Sequence, residues 1–175
     1  ANNVQGSRFN VQWVSDCTLE SDLEMYFPDQ YVPSDSERML LYRELDAIGN
    51  RNDLPSAMTM IDAYRSRLQD RFGKLPTAAE ELLRVVPLRI LGKQLGCEKI
   101  MLKQDRMFLY FVSNPDSPYY QSEAFGSVLD YVGNNVRRCN LREQNGKRSM
   151  VITDVSTVKE ALQVVRNIID TEKNT

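Results

Sequence analysis

Near Gly96 the spacing of apolar residues changes period, and that change limits the possible folds more than any single motif. From Ser34 to Leu95 apolar residues recur every three or four positions, as one face of a helix requires. From Lys99 onward they come in short runs broken by turn residues, as paired strands require. Helices followed by hairpins do not wind a parallel sheet, which needs strands alternating with long crossovers. The expected class is α+β: a helical N-terminal half, then two antiparallel β-hairpins each followed by a helix (ββα-ββα), in a single compact domain. The chain, at 175 residues, is long enough to bury its own core.

Local signals give the expected elements. Arg8 to Asp16 reads as a strand, and Thr18 to Pro33 as a loop with short turns. Ser34 and Glu37 have capping-box spacing and open a helix carrying Leu41, Leu45 and Ile48, with Gly49 as its stop. A second helix starts near Asp53, with Pro55 in its first turn. Leu54, Met58, Ile61, Tyr64 or Arg65, and Leu68 form its inner face, and Gly73 ends it. Pro76-Thr77 open a third helix, where Thr77 and Glu80 repeat the capping box. Leu82, Leu83, Val86, Ile90 and Leu95 are its apolar side, and Gly96 closes it. Pro87 lies inside and predicts a kink near Val86 or two shorter segments.

Lys99 to Lys103 and Met107 to Val112 are expected as a hairpin around Gln104-Asp105-Arg106, with a loop at Asn114 to Pro118. Tyr119 to Val132 is expected as a helix with Phe125, Val128, Leu129 and Val132 inward. Val136 to Glu143 and Arg148 to Thr153 form a second hairpin, turned at Asn145-Gly146. Ser156 caps the last helix, whose inner face is Val158, Leu162, Val165 and Ile169. The expected division is residues 1–33 as a leading strand and loop, 34–170 as the domain, and 171–175 as a frayed polar tail.

Composition excludes much chemistry. A net charge of −2 lacks the basic excess of a general polyanion binder. Histidine is absent, which removes the commonest general base and the commonest metal ligand. No Gly-rich phosphate loop and no Gly-x-Ser-x-Gly elbow occurs. Cys17, Cys97 and Cys139 are too widely spaced for a zinc site and read as buried, reduced thiols. No catalytic residue, cofactor or metal is therefore expected. No apolar run approaches the roughly 20 residues that cross a bilayer. The polar start, Ala1 to Gly6, lacks the apolar core of a signal peptide, so a cytoplasmic location is expected.

Several side-chain clusters remain. Glu80-Glu81 is an acidic pair, but it stands in the first turn of a helix, where carboxylates complement the dipole. Asp116, between Pro115 and Pro118, has no acidic partner in sequence. Arg137, Arg138, Arg142, Lys147 and Arg148 gather on the second hairpin. They read either as a phosphate contact or as edge-strand charge that discourages aggregation. Tyr119-Tyr120 with Phe108, Tyr110 and Phe111 read either as a stacking platform for bases or as strand aromatics alternating between the core and a half-covered face. Arg67, Asp70 and Arg71 share one flank of the second helix near its end. A local Asp70–Arg67 pair, worth about 0.3–0.5 kcal/mol, would explain them. A mixed-sign patch on a rigid helix also sets the register of a protein contact.

One family pattern runs through these segments. Tyr31-Val32-Pro33 leads into Arg38 and Leu41-Tyr42, then into Asp70-Arg71-Phe72-Gly73 and Pro76. Leu82-Leu83, Leu88-Arg89 and Leu95-Gly96 continue in register. From about Phe9 to about Ile169 the chain resembles the C-terminal (TRCF) domain of bacterial transcription-repair coupling factors. The resemblance implies a regulatory, autoinhibitory interaction domain rather than an enzyme. The parent would be an ATP-dependent DNA translocase of helicase superfamily 2 that displaces stalled RNA polymerase and recruits UvrA for nucleotide excision repair. The implied partner is the UvrB-like N-terminal module of the same protein, with UvrA and RNA polymerase reached indirectly. Neither direct DNA binding by this domain nor a membrane is expected.

By the same resemblance, Arg67, Asp70 and Arg71 are the implied contact residues. Arg67 stands where relatives can be acidic, which reverses a charge, and Pro87 is a second departure. The alternative reading is a nucleic-acid-binding α+β module that uses the basic 136–153 hairpin through Arg137, Arg138, Arg142 and Arg148.

Overall fold

A computed structural model describes residues 11–51 and 53–170. Its elements are β1 (Thr18–Ser21), α1 (Asp35–Arg51), α2 (Leu54–Phe72), α3 (Thr77–Leu95), β2 (Cys97–Lys103), β3 (Arg106–Phe111), a 3-10 turn (Pro118–Gln121), α4 (Glu123–Asn134), β4 (Cys139–Gln144), β5 (Lys147–Thr153) and α5 (Val158–Ile169). The class is α+β, as expected. The described residues form two units, Glu24–Ile90 and the pairing of 11–23 with 91–170, and the division falls inside α3.

The helical unit holds α1, α2 and most of α3. Ser34 Oγ accepts from the Glu37 backbone N–H at 3.3 Å, which is one half of the expected capping box. Helix α1 does not stop at Gly49 but runs two residues further. Gly49 has room for a helical backbone, and a Cβ there would meet Val86 methyls at an ordinary 3.7 Å. Asp53 caps α2 by accepting from Ser56 N–H at 2.8 Å, and Pro55 follows where its missing donor costs nothing. Ala57, Ile61, Tyr64 and Leu68 are the buried face of α2; Met58 is only half-buried. Gly73 ends the helix with φ +87°, a conformation that suits glycine.

Helix α3 is continuous through the buried Pro87, so the alternative of two shorter segments does not hold. Its expected capping box is also absent. Ala79 and Glu80 N–H donate to Pro76 O instead, and the Glu80 carboxylate turns to Arg65.

The second unit is a five-stranded sheet in the order β1-β2-β3-β5-β4. β1 runs parallel to β2 and the other neighbours are antiparallel. The strand expected at Arg8 to Asp16 is corrected: residues 8–10 lie outside the described residues, and 11–16 form no strand. The strand is Thr18–Ser21, inside the expected loop. Only Leu19 in it is apolar, so a period-two pattern was unreadable there. Val14 is buried and Trp13 meets Tyr119 edge-on at 5.6 Å, so the apolar stretch packs without a ladder.

Both hairpins turn on two residues with positive φ: Gln104-Asp105 (55° and 59°) and Asn145-Gly146 (54° and 76°). Arg106 is therefore not a turn residue but pairs with Lys103. β4 starts at Cys139, and Val136 is 71% exposed rather than a strand residue.

Met107, Leu109 and Phe111 point to the buried face of the sheet, while Arg106, Phe108 and Tyr110 are half-buried on the other. Gly96 has φ +89°, and a Cβ there would lie 2.2 Å from the Tyr119 ring, whose hydroxyl donates to Leu95 O at 2.6 Å. That ring is fixed by the 3-10 turn, which replaces the first residues of the helix expected at Tyr119 to Val132. Ser122 caps α4 in its place. Leu129 is exposed and Tyr131 takes the inward position. Thr157, not Ser156, caps α5, whose buried face is Val158, Ala161, Val164, Val165 and Ile168. The face expected for this helix was rotated by part of a turn, leaving Leu162 and Ile169 half-buried. The tail 171–175 lies outside the described residues.

Candidate functional site: a groove between two antiparallel helices

Aromatic and arginine side chains of the entry loop and of α1 build a frame. Val32 is fully buried, and its carbonyl accepts from Arg38 Nη1 at 2.6 Å. Arg38 also pairs with Asp29 at 3.4 Å and with Asp35, so one guanidinium ties the entry loop to the first turn of α1. Tyr42 OH accepts from Phe27 N–H at 2.9 Å, and the two rings stack at 5.2 Å. Tyr31 packs on Phe72 at 5.6 Å and donates to Gly73 O at 2.8 Å. Burial, with the Glu80 carboxylate nearby, holds the Tyr31 phenol above its ordinary pKa, so it stays a donor. These contacts fix the C-terminal end of α2.

Against that frame α1 and α2 run antiparallel. Glu37 pairs with Arg71 and Glu44 with Arg67, and Tyr64 OH donates to Leu41 O at 2.8 Å between them. The hydrogen bond from Arg67 to Glu44 holds that guanidinium above its usual pKa. Arg67 also lies 5.6 Å over the Tyr64 ring, and Arg71 lies 5.2 Å over Phe72. Together these residues enclose a groove of about 270 Å³ with an apolar floor of Leu40, Leu41, Tyr64, Leu68 and Phe72 and a charged rim of Glu37, Arg67 and Arg71. Leu40 is 62% exposed and its neighbour Met39 53%, so apolar surface continues out of the groove.

Two of the three expected contact residues, Arg67 and Arg71, meet here. Asp70 does not line the groove. It is exposed beside it, with no ion-pair partner among the described residues. The local pair between Arg67 and Asp70 is replaced by the two pairs that cross to α1. Glu37, Leu40 and Glu44 were missed as site residues. Their signal was present, since an acidic stripe at i and i+7 on α1 complements a basic pair at i and i+4 on α2.

The other clusters disperse. Glu80 accepts from Arg65 Nη2 at 3.1 Å, whereas Glu81 is buried and lies 3.4 Å from Arg84. Among the described residues no group of three potential ligands could hold a metal ion. Cys17, Cys97 and Cys139 are buried and free, and burial pushes the Cys97 thiol well up. The second hairpin does not present one basic patch. Arg138 donates to Thr153 O at 3.0 Å, and Arg148 lies 4.2 Å over the Tyr120 ring. Arg137 and Arg142 are exposed. Tyr119 and Phe111 are core residues.

A profile of the family described as TRCF domain matches residues 21–122, well over half of the chain. The chain belongs to the TRCF domain family. Among curated relatives, the transcription-repair-coupling factor of Rickettsia bellii is 30% identical over 99 residues, covering 57% of this chain and 8% of that protein. Those of Buchnera aphidicola and Helicobacter pylori are 26% and 27% identical over 82 residues, 47% of this chain. This TRCF domain spans only 8–11% of the length of these three relatives. The crystal structure of the C-terminal domain of a transcription-repair coupling factor superposes with a TM-score of 0.66 at 14% identity, over 91% of this chain and 96% of that one, which shows the same fold. The profile match takes in Arg67, Asp70 and Arg71 and stops short of the 136–153 hairpin. No helix among the described residues is long and apolar enough to cross a membrane.

Proposed function

We propose that this TRCF domain is a regulatory, autoinhibitory interaction domain of a transcription-repair coupling factor. The parent would be an ATP-dependent DNA translocase that displaces stalled RNA polymerase and recruits UvrA. The domain would dock on the parent's UvrB-like N-terminal module and mask its UvrA-binding surface, and it would itself hydrolyse nothing. A cytoplasmic location accompanies this reading.

The supporting observation is the groove between α1 and α2. It joins exposed apolar surface at Leu40 to a charged rim in which Arg67 and Arg71 are already oriented by Glu44 and Glu37. A partner need not order these side chains, which lowers the entropic cost of docking. Asp70, without a partner of its own, supplies the acidic contact. The pairs are exposed, so each contributes no more than about 1 kcal/mol to folding, and altering them spares the fold.

Asp70→Lys with Arg71→Glu in the full-length parent should raise ATP turnover or UvrA binding several-fold. The same changes should leave the melting temperature of the isolated chain nearly unchanged. Wild-type behaviour in both assays would reject the reading.

A further inference from the structure

The face of the sheet opposite its buried side carries an organised set of cations and rings. The pairing register puts Lys99, Lys103, Arg106, Arg142 and Lys147 on that one face, drawn from four adjacent strands. Glu20 is the single acidic residue that the register places there, and it pairs with Lys99 at 2.9 Å and Lys103 at 3.7 Å. The face is thus strongly positive in a chain whose net charge is −2. Between the cations stand Phe108 and Tyr110, half-buried, with ring centroids 6.5 Å apart and planes within 16°. Each ring already holds a cation: Arg106 lies 5.3 Å from the Phe108 centroid and Lys99 5.5 Å from that of Tyr110.

We infer that this face binds a single-stranded polynucleotide. Two near-parallel rings two residues apart on one strand can each take one base of an extended strand, because every base offers a flat π-face. Lys99 and Arg106, displaced from the rings, then stand beside the phosphates, with Lys103, Arg142 and Lys147 along the path. An acidic protein surface would use the charges but has no use for two aligned rings. A duplex keeps its bases stacked inside and cannot reach them. The face belongs to a different unit from the α1–α2 groove, so it stands or falls apart from the proposed autoinhibition.

The test is fluorescence anisotropy of the full 175-residue chain with a labelled twelve-nucleotide oligo-dT at low salt. Binding is expected, weakening with salt at a log–log slope of about −2 to −3 if three or four phosphates are engaged. Phe108→Leu and Tyr110→Leu should each weaken binding about tenfold. Phe108→Tyr and Tyr110→Phe keep the rings and should bind within about twofold of wild type, which separates stacking from damage to the sheet. Arg137→Ala, which precedes β4 and belongs to none of the strands that form this face, should change little. No binding at low salt overturns the inference. So does equal binding of a duplex, equal competition by polyglutamate, or full affinity in both leucine variants.

Discussion

The hydroxyl of Tyr31 has one hydrogen to donate, to Gly73 O at 2.8 Å or to the longer Leu68 O at 3.3 Å, so a side chain from the entry loop is tied to the end of α2. Gly73 lies just past the helix, where no intrahelical donor reaches its carbonyl. Tyr31 therefore helps to place Arg71 and Asp70, and it shares the Phe72 ring with Arg71. Tyr31→Phe keeps the ring on Phe72 and removes only the donor. It should lower stability by about 1 kcal/mol in urea denaturation of the isolated chain. A loss near zero would mean that water replaces the hydroxyl fully. Gly96 acts through space rather than hydrogen bonds. Its φ of +89° and the Tyr119 ring beside it leave no room for a Cβ, so glycine there belongs to the fold and not to a partner.

At the scale of elements, α2 carries the candidate site and is held at both ends. Its start depends on the Asp53 carboxylate, whose bond from Ser56 N–H holds its pKa below the ordinary aspartate value. The sign follows from linkage. A depressed carboxylate contributes stability above the unfolded pKa, and this is lost as pH falls through the folded pKa. Thermal melts between about pH 6 and pH 2.5 should show wild type ahead of Asp53→Ala at the upper end. That gap should close as the pH falls below about 4. Asp53→Asn keeps an acceptor that does not titrate and should flatten the dependence.

The start of α2 near Asp53 was legible in the sequence, as were Gly73 and the Asn145-Gly146 turn, because each depends on residue chemistry within four positions; the first hairpin was placed correctly, but its turn is Gln104-Asp105 without Arg106. β1 was not legible. Its four residues form a strand through the parallel partner that β2 provides, about eighty positions away. The end of α1 was misread at Gly49 because glycine permits a stop without requiring one. The candidate site was half legible: Arg67 and Arg71 share a flank by spacing alone, but their glutamate partners depend on how α1 lies against α2. The open sheet face needed the register of four strands before its cations could be seen as one set.

At the scale of the molecule, the proposed repression depends on how strongly the α1–α2 groove binds when nothing tethers it. Within one protein the domain and its docking site meet at an effective concentration of about a millimolar, so a weak contact suffices. Two exposed ion pairs and a shallow apolar floor suit such a contact, since each pair is worth little alone and is screened by salt. Added in trans to a parent truncated before this domain, the 175-residue chain should restore repression of ATP turnover. It should do so only at high concentration, on the order of a hundred micromolar, and less well as salt is raised. The chain carrying Asp70→Lys and Arg71→Glu should fail at every concentration while retaining its circular dichroism spectrum. Phe108→Leu should repress as well as wild type, because its ring lies on the sheet face and not in the groove. Equal repression by the wild-type and charge-reversed chains would place the docking surface elsewhere on the domain. Repression lost only in the Phe108 variant would move it to the sheet.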